Sequence, residues 1–290
     1  MNSRNEISRR QFLRGTLAAS APVLIAGGPG RSFAEPVKEE SAKAGERPRA
    51  LALIGDRYHN ADYIRVALGK LFDELGLPID FTINYAEISA SLLRNYRLFV
   101  TLRDGMIWPG GYLQPTDYDY TQELENAEEW PKEEPRSWIT EEQGKAIKDF
   151  VFAGNGFYAL HNSSNISLYS KDFREVMGGA YLGHPPLRPF KVRVVNRDHP
   201  ITKGIQDFIV NDEQHYVAYD KGAGDILLRS ENLDGLGYER YGTQSIAGWA
   251  YDFGQGRVAF TAVGHTLHAL WQPEYYKLQK NAVRWLLKIL

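Results

Sequence analysis

Three short runs of the chain are apolar at nearly every position: Ala50-Leu51-Ala52-Leu53-Ile54, Leu98-Phe99-Val100-Thr101-Leu102 and Gly156-Phe157-Tyr158-Ala159-Leu160. Five residues are too few for a stable helix, and a strand with one face in water would alternate with polar residues. Runs of this kind are strands covered on both faces, the pattern of a parallel sheet flanked by helices. After the first run, residues 61–76 carry apolar side chains at 64, 67, 68, 71, 72 and 75, a helical spacing closed by a glycine. Residues 80–83 then read as a further short strand, so the order is strand, helix, strand, which predicts a parallel α/β sheet. Thr140 opens another helix, with Gln143 placed for a capping box. A helix near 170–177 stops at Gly178-Gly179. From Arg188 onward short strands dominate, at 190–195, 216–219, 226–230, 246–251 and 257–263. Some of these are expected to be antiparallel additions, and Pro273 opens a final amphipathic helix.

The first 34 residues read as an address. Ser8-Arg9-Arg10-Gln11-Phe12-Leu13-Arg14 is a twin-arginine pattern, a weakly apolar run follows from Thr16 to Gly28, and Ser32-Phe33-Ala34 offers a small-x-small cleavage site. The apolar run is too short and too rich in Gly and Pro to cross a bilayer. The expectation is a signal over 1–34, recognised by the twin-arginine export machinery and leading to the periplasm or beyond. A charged linker over 35–49 and one α/β domain over 50–290 follow, with no membrane segment in the mature form. Removing the first 34 residues, five arginines against one glutamate, takes the formal charge from −2 to about −6. A mildly acidic surface argues against a nucleic-acid partner. The chain has no cysteine, which excludes disulfides, thiolate nucleophiles and Cys-ligated zinc.

Residues 103–140 form a long irregular stretch that includes Trp108, Tyr112, Tyr118, Tyr120, Trp130 and Trp138. It is too aromatic for a disordered linker. It is either a wall or lid over a pocket or a cover for the sheet edge.

The seven histidines are placed less evenly than a surface scatter. His161 ends the third apolar run and His265 ends another strand, and in open α/β sheets ligands bind at the carboxyl ends of strands. His59 follows the first strand, in Gly55-Asp56-Arg57-Tyr58-His59. His184 sits in Gly183-His184-Pro185, and His215 follows Asp212-Glu213-Gln214. Imidazole is both a neutral metal ligand and the usual proton carrier near pH 7. Several converging with an acidic pair could hold a metal or a polar ligand. His199, followed by Pro200, reads as a hydrogen-bonding loop residue, and His268 as structural.

The ordered set of motifs resembles the ThuA-like (trehalose-utilisation) family. The resemblance rests on the run into His161-Asn162-Ser163, on Gly183-His184-Pro185 and on Asp198-His199-Pro200-Ile201-Thr202-Lys203-Gly204. It rests also on Asp212-Glu213 with Tyr216, on Tyr251-Asp252-Phe253-Gly254-Gln255-Gly256-Arg257-Val258 and on Gly264-His265. The family implies a flavodoxin-like three-layer α/β sandwich, with a mostly parallel central sheet and added antiparallel strands. It is similar to the class I glutamine amidotransferases, whose catalytic cysteine sits on the tight turn after a strand. His161 or a neighbour holds the comparable position here, so only the scaffold can be shared.

The resemblance implies a carbohydrate-derived substrate, a glycoside or a 3-keto sugar. On an enzymatic reading, a hydrolase or lyase would use one divalent metal (zinc, manganese or nickel) held by some of His161, His184, Glu213 and His265. His161, His215 and His59 are the candidate catalytic residues, and Asn162, Trp108, Tyr112 and Asp212 the candidate substrate contacts. On the alternative reading the same cleft is a non-catalytic module that binds a sugar or a partner. A serine–histidine pair from Ser163 or Ser164 lacks the expected elbow sequence. The oligomeric state is not specified.

Overall fold

The computed structural model describes residues 49–107 and 134–289. The expected signal, nearly all of the linker, and the candidate substrate contacts Trp108 and Tyr112 lie outside the described residues. The strands in chain order are β1 (Ala50–Ile54), β2 (Ile79–Thr82), β3 (Leu98–Leu102), β4 (Met106–Ile107), β5 (Arg136–Ser137), β6 (Gly156–Leu160) and β7 (Gly179–Gly183). They continue with β8 (Arg188–Val194), β9 (Phe208–Asp212), β10 (Tyr216–Tyr219), β11 (Ile226–Asn232), β12 (Gln244–Phe253) and β13 (Gly256–Thr261). The longer helices are α1 (Ala61–Leu75), α2 (Glu141–Phe152), α3 (Lys171–Met177) and α4 (Pro273–Leu286).

Nine strands form one sheet in the order β2-β1-β3-β6-β13-β12-β11-β8-β9. The first five are mutually parallel, and the remaining pairings are antiparallel. Only β12 and β8 therefore run against the others, and the sheet is mostly parallel with antiparallel additions. β1, β3 and β6 are buried at every position, as their unbroken apolar runs require. Successive side chains of a strand point to opposite faces, and β6 shows what covers each. A Cβ on Gly156 would stand 3.0 Å from Leu286 of α4, whereas Phe157 packs edge-on against Phe173 of α3 at 5.6 Å. Helices thus cover both faces and give three layers.

Local signals place the helix ends. The Thr140 hydroxyl accepts from the Gln143 amide while the Gln143 side chain accepts from the Thr140 amide, closing the capping box. Gly76 and Gly178 end α1 and α3 in the left-handed region, at φ 64° and 77°. Trp138, part of the aromatic stretch, is buried and donates from Nε1 to the Asp104 carbonyl at 2.6 Å.

Besides the two-residue β4 and β5, which pair with each other in the stretch read as irregular, β7 and β9 were not expected from sequence, and both carry site residues at their ends. β7 pairs antiparallel with β10 in a separate ribbon. Gly183 lies opposite Tyr216 there, which sets His184 beside His215. β9 is the last strand of the sheet, four strand spacings from β13. At about 4.8 Å per spacing a flat sheet would hold them roughly 19 Å apart. Yet Asp212, at the end of β9, accepts from the amides of Gly264 at 2.7 Å and His265 at 3.0 Å, just beyond β13. The antiparallel half therefore curls back over the carboxyl ends of the parallel strands.

Asp212, expected as a substrate contact, is fully buried, and its oxygens are taken up by backbone amides. Asp212→Ala would leave two buried N–H groups without acceptors, at about 1–3 kcal/mol each. Urea unfolding should show a loss of roughly 2–5 kcal/mol. A loss under about 1 kcal/mol would mean the curl does not depend on this residue.

Candidate functional site

The curl brings five imidazoles and one carboxylate to the rim where the parallel strands end. β1 leads into Asp56 and His59, β6 into His161, and β13 into His265. β9 ends immediately before Glu213, and the β7–β10 ribbon supplies His184 and His215. Glu213 Oε2 lies 3.1 Å from His265 Nδ1, 3.5 Å from the Nε2 atoms of His161 and His215, and 3.6 Å from His184 Nε2. His59 Nε2 lies 3.0 Å from His265 Nδ1.

His161 occupies the tight turn after β6 at φ 50°, the left-handed region that costs a non-glycine residue about 1–2 kcal/mol. Two features hold it there. Its Nδ1 donates to the Ala262 carbonyl at 2.7 Å. Gly264 leaves it room, since a Cβ on Gly264 would come within 2.8 Å of the His161 Cβ.

The partners fix which nitrogens carry protons. A carbonyl only accepts, so His161 Nδ1 carries hydrogen and Nε2 presents a lone pair, buried without a hydrogen-bond partner. His184 Nδ1 donates to the Pro185 carbonyl at 2.9 Å, so in the neutral ring Nε2 is the nitrogen with the lone pair. His59 Nδ1 donates to Asp56 Oδ1 at 2.9 Å, so its Nε2 accepts from His265. Two imidazole lone pairs therefore face a carboxylate oxygen, acceptor against acceptor. A cation resolves that conflict, and a ring nitrogen turned outward by a carbonyl or carboxylate behind it is the usual setting of a metal-bound histidine.

Charge follows the same geometry. Burial, helped by the neighbouring His215, pushes His161 well below the ordinary histidine value. Burial likewise lowers His215 to about 4. Burial pushes the Glu213 carboxyl up, but the imidazoles around it outweigh that and hold it well below the carboxylate range. His265 is lowered by burial but raised more by Glu213, and ends above its ordinary value. Burial raises Asp212 to about 7 despite its backbone donors.

Asp56 is a site residue that the sequence reading passed over. Its side chain is fully buried. It accepts from His59, from Asn162 Nδ2 at 2.6 Å and from the amides of Tyr58, His59 and Asp104. These donors hold its carboxyl low against burial. The only sequence signal was its place three residues before His59 on the turn after β1. Asn162, expected as a substrate contact, donates to this carboxylate and is itself buried. Ser163 donates to the Thr101 carbonyl and Ser164 to the His161 carbonyl, so neither donates to an imidazole. His199 Nδ1 accepts from the Ile201 amide, a local loop bond, and His268 is exposed.

Two sets of donors each gather within 4.8 Å: His59, His161, Glu213 and His265, and His184, Glu213 and His215. Three of the four expected metal ligands, His161, His184 and His265, surround an oxygen of the fourth, Glu213, and His59 joins them. Solvent reaches the group past His265 and His184, whose side chains are 23% and 30% exposed. The Tyr181 ring stands beside that opening, 5.1 Å from His215 and 6.0 Å from His184.

Residues 55–286 match the ThuA family, described as trehalose utilisation. No curated protein matches the chain. Among solved structures, a ThuA-like protein from Bacteroides uniformis superposes with a TM-score of 0.60 at 18% identity, covering 87% of this chain and 95% of its own. A ThuA-like protein from Parabacteroides merdae gives 0.57 at 15% identity, covering 83% and 90%. A β-galactosidase from Rahnella sp. R3 gives 0.50 at 15% identity, covering 84% of this chain but 32% of that enzyme. At these identities the likeness is one of fold.

His161 and His215 are held neutral in the folded chain, whereas an unfolded histidine takes up its proton near pH 6.5. Acid therefore favours unfolding, and their contribution is lost as pH falls from about 6.5 toward 4. The denaturation midpoint of chelator-treated protein should drop across that range, and His215→Gln should make the drop shallower. A drop unchanged in the variant would count against a buried neutral His215.

Proposed function

The chain belongs to the ThuA (trehalose utilisation) family, and on that premise we propose that it is an exported enzyme acting on a carbohydrate-derived substrate with the help of a divalent cation. The observation that carries this reading is the meeting of the His161 and His184 lone pairs with the Glu213 carboxylate. Oriented imidazoles with one carboxylate form a donor set suited to a first-row ion such as zinc, manganese or nickel. His59, His161, Glu213 and His265 would hold it. Such an ion polarises a carbonyl or hydroxyl and lowers the pKa of bound water, the chemistry that hydrolysis of a glycoside or elimination from a 3-keto sugar calls for.

The chain's own groups supply the rest. Asp56 orients His59 and strengthens it as a base, with Asn162 bracing the carboxylate. His215, neutral at pH 7, is available to accept a proton at the site. Tyr181 offers a ring face beside the opening, suited to stacking on a sugar. The β-galactosidase likeness is one of fold and lends no reaction to this site.

Thermal unfolding with and without Zn²⁺, Mn²⁺ or Ni²⁺ tests the cation. Saturation at about 100 times Kd should stabilise the protein by about 2.7 kcal/mol, and His161→Ala should remove most of that gain. Turnover of glycosides and 3-keto glycosides should fall at least about 100-fold in the same variant. A protein that none of these ions stabilises would sink the reading. Tight sugar binding without turnover would make the cleft a binding module instead.

Export is proposed from the twin-arginine pattern at Ser8–Arg14 with the apolar run and Ser32-Phe33-Ala34 behind it. In a bacterium with that route, the full chain should be found in the periplasmic fraction. Replacing Arg9 and Arg10 by lysine should retain it in the cytoplasm. Equal periplasmic recovery of both forms would remove the proposal.

A further inference from the structure

The five imidazoles do not all converge. The His59 ring centre lies 4.9 Å from that of His161 and 4.8 Å from that of His265, with planes inclined by 73° and 83°. His161 and His265 are 5.7 Å apart at 62°. An imidazole nitrogen binds an ion at about 2.0–2.1 Å in its own ring plane, which puts the ring centre about 3.2 Å from the ion. Three centres spaced in this way share one such point, about 1 Å off the plane through them. His215 does not fit the same shell. It lies face to face with His161, at 3.8 Å and 26°. Sharing an ion would close the angle between their bonds to about 75°, tighter than four- and six-coordinate sites allow. His184 gathers with Glu213 and His215 only, in the other donor set. Its ring is nearly parallel to that of His215, at 5.1 Å and 18°, so these two do not converge on a further ion either.

We propose that His184 stands outside the shell of the single ion and recognises a hydroxyl group on the molecule bound beside it. This rests on the reading of the site as a cation site and adds the chemistry of its ligand. His184 Nδ1 is committed to the Pro185 carbonyl, so the neutral ring presents an acceptor at Nε2. The oxygen it faces, Glu213 Oε2 at 3.6 Å, is also an acceptor. A ligand O–H satisfies that nitrogen. A carbonyl or carboxylate at the same point would set acceptor against acceptor and leave both unpaired.

The position of His184 suits that role. Its side chain is 30% exposed, at the opening through which solvent reaches the cluster. The Tyr181 ring walls the same opening, 6.0 Å away. A pyranose that lays its C–H face on Tyr181 carries its hydroxyls at the ring edge, where His184 can accept from one of them. The histidine is also fixed without any bond to the ion. Gly183, at φ 144°, packs so closely that a Cβ there would come within 2.6 Å of the Tyr238 hydroxyl. Stacking on His215 holds the His184 ring itself.

The test separates the ion from its companion. Full-length protein is stripped with chelator and reloaded with Zn²⁺, and bound zinc per chain is measured by mass spectrometry. Binding of methyl α-D-glucopyranoside to the loaded protein is measured by calorimetry, with thermal unfolding confirming that each variant is folded. The expected result is one zinc per chain in both the parent protein and His184→Ala, with glucoside affinity at least about tenfold weaker in the variant. His184→Gln, whose amide oxygen accepts from the same hydroxyl, should regain most of that loss. Zinc lost from His184→Ala would make this residue a ligand to the ion, overturning the proposal and leaving the cation reading standing. So would two zinc ions per chain in the parent. Unchanged glucoside affinity in His184→Ala, or no glucoside binding to the loaded parent, also overturns the proposal alone. An affinity that glutamine restores no better than alanine points to packing and overturns the hydroxyl assignment. No bound zinc in the parent overturns this proposal and the cation reading together.

Discussion

The bond from the amides of Gly264 and His265 to the Asp212 carboxylate is the constraint from which the site follows. It closes a distance that a flat nine-stranded sheet would leave open and brings the end of β9 over the ends of β6 and β13. Glu213 is the next residue, so its position among the imidazoles is inherited from that closure. The same bond fixes the backbone of His265. One buried acid with two amide donors therefore sets both the central carboxylate and one of its nearest neighbours. That is why it is buried with its oxygens taken up by backbone amides.

Within the site, order comes from behind. Asp56 locks His59, and backbone carbonyls lock His161 and His184. Each of these bonds selects a tautomer and points a lone pair inward. The inward groups outnumber the protons available to satisfy them, since His161 and His215 are held neutral by burial while Glu213 keeps its charge. A cluster arranged in this way is complementary to positive charge.

Much of the scaffold was readable because its signals are local. The unbroken apolar runs of β1, β3 and β6, the 3.6-residue spacing of α1 and the Thr140–Gln143 cap each depend on residues close in sequence. The gathering of His161, His184, Glu213 and His265 was legible through the placement of histidines at strand ends. β9 was not, because Phe208–Asp212 alternates buried and exposed over only five residues and contains a charged end that looks like loop. Missing β9 hid the curl and made Asp212 look available. Asp56 was hidden for a related reason: a carboxylate in a turn ordinarily faces water, and only the tertiary structure shows five donors closing around this one.

The donors are spread from His59 to His265 and rise from segments that meet only when the sheet is complete. The cluster is therefore complete only once the sheet is, and a ligand that needs all of its donors would be captured after folding. On the proposed cation reading, the compartment in which the polypeptide finishes folding is then the one whose ion pool would fill the centre.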